Sequence, residues 1–138
     1  MISGRCLCGA VSYQSAGPAV LQFNCHCRDC QRSTGAAYAP VMFLRKEGFH
    51  IQGPLSHFDS VAASGKTLRR SFCSTCGAQI LGAPESVPPF ISIRAGTLDD
   101  PSLFKPSADI FCSQAAPWDC MNPELLKFPA MLPAPNGQ

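Results

Sequence analysis

The chain has 138 residues, of which 46% are hydrophobic and 14% charged, and its formal net charge is +2. This length and composition indicate one small globular domain and argue against a disordered chain. Its positive residues are scattered, with Arg45-Lys46 and Arg69-Arg70 as the densest pairs, so no nucleic-acid partner is expected. No apolar run approaches the roughly 18 residues that a membrane span needs, so no membrane association is expected either.

Short stretches rich in β-forming residues predict an all-β fold with little helix. The first strand is expected around Val11 and Tyr13, and further strands over residues 39–44, 49–52, 66–72 and 90–94. Turn residues divide these stretches at Gly17-Pro18, Gly53-Pro54, Ser64-Gly65 and Val87-Pro88-Pro89.

One short helix is predicted over Arg28–Thr34. Gly35 follows it, and a glycine without a Cβ suits the left-handed residue that ends many helices. If this helix forms, its N-terminus lies at a cysteine cluster, where the helix dipole is expected to lower the pKa of the thiols.

Seven of the nine cysteines form three tight clusters, and this spacing is typical of thiolate metal sites. They are Cys6 and Cys8, then Cys25, Cys27 and Cys30, then Cys73 and Cys76. Zinc accepts sulfur ligands at about 2.3 Å in a tetrahedron, and two cysteines a few residues apart reach one ion without strain. The sequence therefore predicts bound zinc.

The first and third clusters each supply half of a four-thiolate site. Gly9 follows Cys8 and Gly77 follows Cys76, and a glycine there lets the chain turn so that backbone N–H groups point at the sulfurs. Together, Cys6, Cys8, Cys73 and Cys76 would form a closed, structural zinc site.

The alternative to zinc is a set of disulfides, as in many cysteine-rich secreted chains. Residues 1–13 hold one cation and no apolar run long enough for a signal peptide, so secretion is not indicated. The cysteine count is odd, and a Cys-x-Cys pair is poorly placed to bond to itself. A reducing cytoplasm is the expected location.

The middle cluster has three thiolates and no obvious fourth ligand. Structural zinc sites are closed by four protein ligands, whereas catalytic sites use three and leave one position open. Cys25, Cys27 and Cys30 are therefore candidate ligands of a second, catalytic zinc. Candidates for a fourth ligand are Cys112, Cys120, His50, His57 and Asp109, although a buried apolar role is favoured for the two cysteines. His26 is interpreted as a packing residue or as one that supports the ligands beside it.

Three motifs together resemble the glutathione-dependent formaldehyde-activating enzyme family, which includes centromere protein V. They are Gly4-Arg5-Cys6-Leu7-Cys8-Gly9-Ala10-Val11, the stretch Cys25-His26-Cys27-Arg28-Asp29-Cys30-Gln31-Arg32-Ser33-Thr34-Gly35, and Phe72-Cys73-Ser74-Thr75-Cys76-Gly77. Further along, Ala95-Gly96-Thr97-Leu98-Asp99-Asp100-Pro101 and Ala116-Pro117-Trp118 are similar to downstream signatures of that family.

This resemblance implies a β-tent fold, in which short coiled sheets surround zinc. It also implies a structural zinc on the four outer cysteines and a labile, catalytic zinc on Cys25, Cys27 and Cys30. Family members are carbon-sulfur lyases, and the founding activity adds glutathione to formaldehyde to give S-hydroxymethylglutathione. Asp109 departs from the family, which often has histidine at this position.

An open three-thiolate site favours activation of a substrate thiol over polarisation of a carbonyl, because three cysteinates leave zinc a weak Lewis acid. The expected partner is a small thiol such as glutathione. Arg28, Arg32, Arg69 and Arg70 are candidates to bind its carboxylates. Trp118 is expected to pack in the core rather than to line the substrate pocket.

Two other functions stay open. One alternative is a non-catalytic, zinc-stabilised protein-binding module. The other is a second cluster that forms a structural zinc site closed by Cys112 or Cys120. The domain boundaries predicted are residues 1–120 for the zinc-binding domain and 121–138 for a Pro-rich extension. Within this extension a helical turn is expected at Asn122-Pro123-Glu124, and residues 128–138 are expected to be a loose tail.

Overall fold

A computed structural model describes residues 1–133 of the chain. In these residues the chain forms eleven strands, one α-helix and three short 3-10 turns, so the predicted all-β class with little helix is confirmed. The elements are β1 Ile2–Arg5, β2 Ser12–Ser15, β3 Leu21–Cys25, α1 Arg28–Thr34, β4 Ala39–Arg45, β5 Phe49–Gln52, β6 Leu55–Val61, β7 Thr67–Cys73, β8 Gln79–Pro84, β9 Phe90–Arg94, β10 Ala108–Ile110 and β11 Leu126–Lys127; the 3-10 turns are Ala95–Thr97, Pro101–Leu103 and Cys112–Gln114.

The chain divides into two compact units, and the first comprises Met1–Leu21 and Met42–Phe104. It contains an antiparallel sheet in the order β1-β2-β5, and a run of antiparallel strands in the order β6-β7-β8-β9. Strand β4 crosses the division between the units.

Buried apolar side chains fill the core of the first unit. Leu44, Ile80 and Ile93 are completely buried. Burying a side chain of this size stabilises the folded state by roughly 1.5–3 kcal/mol. Cys6 and Cys73 belong to the same buried cluster, so the packed sheets bring together cysteines that are far apart in sequence.

The second unit comprises Gln22–Val41 and the chain from Lys105 onward. It contains β3, α1, β10 and β11, and β10 pairs in parallel with both β3 and β11. This register sets Ile110 opposite Cys25. Residues near the C-terminus are thereby brought beside the central cysteine cluster.

Helix α1 has the bounds that the sequence predicts. The Cys27 sulfur caps its first turn by accepting a hydrogen bond from the Cys30 N–H at 3.2 Å. Gly35 ends the helix in the left-handed conformation with φ 72°, and its N–H donates to the Gln31 carbonyl. The helix therefore begins and ends on local signals.

The prediction of a loose tail from residue 128 is wrong for its first residues. Phe128 N–H donates to the Asp109 carbonyl, and the carbonyls of Phe128 and Ala130 accept from the backbone of Cys112 and Phe111. Asn122-Pro123-Glu124 forms a turn rather than a helical turn. Residues 134–138 lie outside the described part, and the boundary after residue 120 stays a prediction.

Within residues 1–133, no helix is long and apolar enough to cross a membrane.

Candidate functional site

The first unit brings together the sulfur atoms of Cys6, Cys8, Cys73 and Cys76. Cys6 and Cys8 lie in the turn between β1 and β2, Cys73 ends β7, and Cys76 lies in the turn to β8. The four sulfurs lie within 4.8 Å of one another, with 3.6 Å between Cys6 and Cys8 and 3.8 Å between Cys8 and Cys73. A tetrahedral zinc with sulfurs at 2.3 Å requires about 3.8 Å between sulfurs. The donor set therefore fits zinc.

Backbone N–H groups surround these sulfurs, as expected for metal knuckles. Val11 N–H donates to the Cys6 sulfur at 3.3 Å, and the N–H groups of Thr75 and Cys76 donate to the Cys73 sulfur at 3.4 Å. The following glycines have the predicted positive φ, 83° at Gly9 and 78° at Gly77.

The four thiols do not ionise equally. Burial opposes ionisation of Cys6, but the Val11 N–H and the neighbouring thiols outweigh it and lower the pKa of Cys6 to about 6. At Cys8 the Ala10 N–H favours the thiolate, whereas burial and the other sulfurs raise its pKa to about 11. Negative charge is thus stabilised on one sulfur at the expense of another, and a divalent cation would remove this competition.

The second unit brings together the sulfurs of Cys25, Cys27 and Cys30. Cys25 ends β3, Cys27 caps α1 and Cys30 lies in the first turn of that helix. Their sulfurs lie within 4.8 Å of one another, and no other cysteine, histidine or carboxylate of residues 1–133 joins the group. The arrangement offers three ligands, and the spacing is again suitable for zinc.

The predicted lowering of thiol pKa values by the helix dipole is wrong for Cys25. Hydrogen bonds with Cys27 and Cys30 raise the pKa of Cys25, and burial raises it further. Crowded thiols resist forming several thiolates together, so the metal-free cluster does not favour the thiolate of Cys25. A bound cation would reverse the balance by stabilising all three thiolates.

None of the five candidate fourth ligands joins the three sulfurs. His50 and His57 belong to the first unit, where His57 contacts the Ser71 hydroxyl. Asp109 is engaged elsewhere, and the Cys112 thiol lies 3.4 Å from the Asp109 carbonyl. Cys120 is exposed and Cys112 partly exposed, so the prediction that both are buried small residues is wrong.

His26, between two of the cysteines, is completely buried with carboxylates on both sides of its ring. Its Nε2 lies 2.7 Å from Asp109 Oδ1, and its Nδ1 contacts Asp119 Oδ2. Since both ring nitrogens are occupied, His26 is not a metal ligand.

Lys127 completes this ionic group, since its Nζ lies 2.9 Å from Asp109 Oδ2. Burial opposes ionisation of Asp109, but hydrogen bonds from His26 and Lys127 hold the pKa of that carboxyl below its usual range. The Lys127 ammonium thus compensates the charge of the buried Asp109 carboxylate. This compensation is what makes buried charge tolerable in a protein interior.

No pattern in the sequence indicates the roles of Asp119 and Lys127. Neither residue stands at a metal-ligand spacing. Lys127 lies on β11, whose pairing with β10 sets it opposite Asp109, and Asp119 lies in the loop between these two strands. Trp118, which precedes Asp119, is 69% exposed, so the prediction that it packs in the core is wrong.

The four candidate arginines differ in their engagement. Arg69 pairs with Asp59 through two hydrogen bonds of 2.8 and 3.0 Å, and buried Arg70 donates to the Ser60 hydroxyl. Arg28 and Arg32 both lie on α1, the helix that carries Cys30. Arg28 contacts the Gln31 side chain, while Arg32 is exposed.

Comparison with known proteins agrees with this arrangement. A crystal structure of a Rhodobacter sphaeroides protein matches 91% of this chain and 98% of its own length, with a TM-score of 0.57 and 17% identity, which supports the fold alone. No curated protein matches the sequence. The model of the glutathione-dependent formaldehyde-activating enzyme family matches residues 1–114, which contain all seven clustered cysteines. The chain therefore belongs to the family of glutathione-dependent formaldehyde-activating enzymes.

Proposed function

We propose that this chain is a zinc-dependent carbon-sulfur lyase that acts on the adduct of a small thiol and an aldehyde. The observation that supports it most directly is the difference between the two cysteine groups, one with four sulfurs and the other with three. In this proposal Cys6, Cys8, Cys73 and Cys76 hold a structural zinc. Cys25, Cys27 and Cys30 hold a second, exchangeable zinc at the catalytic site.

A zinc ion on the three sulfurs would supply a position at which a substrate thiol loses its proton. In the addition direction, a sulfur–carbon bond forms between the thiol and the aldehyde carbon. The carbonyl electron pair moves to oxygen, which takes up a proton, so nothing is oxidised or reduced. Glutathione and formaldehyde, the compounds in the family's description, would give S-hydroxymethylglutathione in this way.

Arg28 and Arg32 are the better candidates to bind a substrate carboxylate. Both lie on the helix of Cys30, whereas the guanidinium of Arg69 is already paired with Asp59. A guanidinium can hold a carboxylate through two parallel hydrogen bonds and so orient the thiol end of the substrate. We place the reaction in the cytoplasm, where thiols stay reduced.

Exchange between formaldehyde and its glutathione adduct, followed by NMR on labelled formaldehyde, tests the activity. The reaction also proceeds without enzyme, so the relevant quantity is the rate above that background. The chain should accelerate exchange, and the Cys27→Ser variant should return it to the uncatalysed rate. A wild-type rate equal to the background would refute the proposed activity with these substrates.

A non-catalytic protein-binding module is the second candidate, supported by exposed apolar side chains in the second unit. Trp118 and Leu126 are each about two-thirds exposed, and such groups often mark interaction sites. A closed zinc site would suit this role better than an open one. An exchange rate equal to the uncatalysed background, together with two zinc ions that stay bound during dialysis against glutathione, would favour this role.

A further inference from the structure

Every polar group of His26 has a hydrogen-bond partner. Its N–H donates to the Ile110 carbonyl at 3.0 Å, and its carbonyl accepts from Gln31 Nε2 at 2.8 Å. The ring adds the contacts with Asp109 and Asp119, and the Tyr38 ring lies 5.0 Å away between centroids. Both the backbone and the ring orientation of His26 are therefore fixed.

The fixed residue lies between two candidate metal ligands, Cys25 and Cys27. Its restraints come from β10, from α1 and from the loop that carries Asp119. The N-terminus of α1 is held as well, since Arg28 N–H donates to Gln114 Oε1 at 2.8 Å. None of these contacts involves a sulfur atom, so the ligand loop is held by bonds that do not require a metal.

We infer that Asp109, Asp119 and Lys127 act through His26 to position the metal ligands, and we name these four residues the His26 clamp. The clamp keeps Cys25 and Cys27 in metal-binding geometry whether or not an ion is present. The second site can then exchange its ion without local unfolding. This inference rests on the proposed function only in taking Cys25, Cys27 and Cys30 as the metal site.

Each carboxyl group beside His26 holds one ring nitrogen, so replacing either of them should weaken the clamp. The His26 ring lies between the carboxyl groups of Asp109 and Asp119, and these three side chains are at most 2% exposed. Asp119→Asn preserves shape but removes the charge, which leaves the ring nitrogen facing a weaker acceptor. Residues that orient ligands in this way commonly change metal affinity 10–100-fold when they are replaced.

The decisive experiment measures zinc affinity and hydrogen exchange in the full chain, with Asp119→Asn as the test variant. Asp59→Asn is the matched control, because Asp59 pairs with Arg69 on the surface of the first unit. Zinc affinity is measured by competition with a chromophoric chelator. Amide exchange over residues 23–31 is compared before and after the second ion is removed by dialysis against glutathione.

In the wild type, amide protection should be the same with and without the second ion. In Asp119→Asn, zinc affinity of the second site should fall 10–100-fold, and protection should disappear when the ion is removed. The four-sulfur site is an internal reference, since a general loss of stability would weaken both sites. Asp59→Asn should behave as the wild type in both measurements.

Two results would overturn the inference. One is loss of protection in the wild type when the ion leaves, and the other is an unchanged second-site affinity in Asp119→Asn. If that variant does not fold, Lys127→Met is used instead. The Lys127 side chain is partly exposed and contacts Asp109, not the His26 ring, so its replacement should disturb the fold less. Its second-site affinity should fall by a smaller factor, and an unchanged value overturns the inference.

Neither measurement requires turnover, so the clamp can be confirmed in a protein that has no lyase activity. Conversely, if the second cluster of this protein does not bind zinc, the proposed catalytic site is refuted.

Discussion

At the scale of single residues, Cys25 shows how its neighbours determine the chemistry of a thiol. The Cys27 and Cys30 thiols and burial together raise its pKa, so the metal-free site is protonated at this sulfur near neutral pH. The raised pKa means that the thiol form predominates below it and the thiolate above it. Metal binding must therefore displace at least one proton.

The zinc affinity of the second site should rise by a factor of at least about ten for each unit of pH between 6 and 8, because at least one proton is displaced. Competition titrations in this range measure the slope. Calorimetry in buffers of different ionisation enthalpy counts the released protons independently. A zinc affinity that does not change with pH would show that the three thiols are already ionised in the metal-free protein.

Cys27→Ser should reduce the zinc content from two ions per chain to one, while the fold is retained. The serine hydroxyl is a poor zinc ligand, but it can still accept the capping hydrogen bond from Cys30 N–H. Elemental analysis gives the stoichiometry, and circular dichroism checks the fold. Cys120→Ser is the control, because that exposed cysteine lies outside both groups and should keep both ions.

At the scale of elements, α1 and the C-terminal strands differ in how much the sequence reveals. Helix α1 could be predicted to the residue because Gly35 ends it through a local conformational preference. Strands β10 and β11 have only three and two residues, too few for an alternating pattern. Their formation depends on parallel pairing with distant residues, which no local pattern indicates.

Gly35→Ala should destabilise the chain by about 1 kcal/mol, because a Cβ is unfavourable at φ 72°. A Cβ there would meet nothing within 4 Å, so the cost comes from backbone conformation alone. Chemical denaturation measures this difference. Gly35→Asn should cost less, since asparagine tolerates the left-handed region, and equal costs for the two variants would contradict this explanation.

At the scale of the whole molecule, the cysteine spacing predicted both groups, and the structure brings the same seven residues together. The spacing is sufficient to predict these groups because two cysteines that bind one metal ion lie close together in the sequence. The partners of His26 could not be predicted, because Asp119 lies 93 residues away and carboxylates carry no comparable signature. The sequence thus indicates the two cysteine groups but not the residues that contact His26.

Cys76→Ser should unfold much of the first unit, in contrast to Cys27→Ser. The group of four sulfurs connects the β1–β2 turn with the β7–β8 turn. The binding free energy of a structural zinc, about 10–16 kcal/mol, contributes to folding. Far-ultraviolet circular dichroism during heating should show an unfolding transition at a lower temperature than in the wild type, or no transition if the variant is already unfolded. Equal stability of the Cys76→Ser and Cys27→Ser variants would refute the assignment of a structural role to one site and a catalytic role to the other.

The long separation between His26 and Asp119 also has a consequence for biosynthesis. At about 5–20 residues per second, the ribosome makes the last partner of the histidine roughly 5–20 s after the histidine itself. During that interval Cys25, Cys27 and Cys30 have been translated but lack their restraints. The nascent chain therefore passes through a period in which these three cysteines lack the contact between Asp119 and His26, and this period ends only after Asp119 has been synthesised.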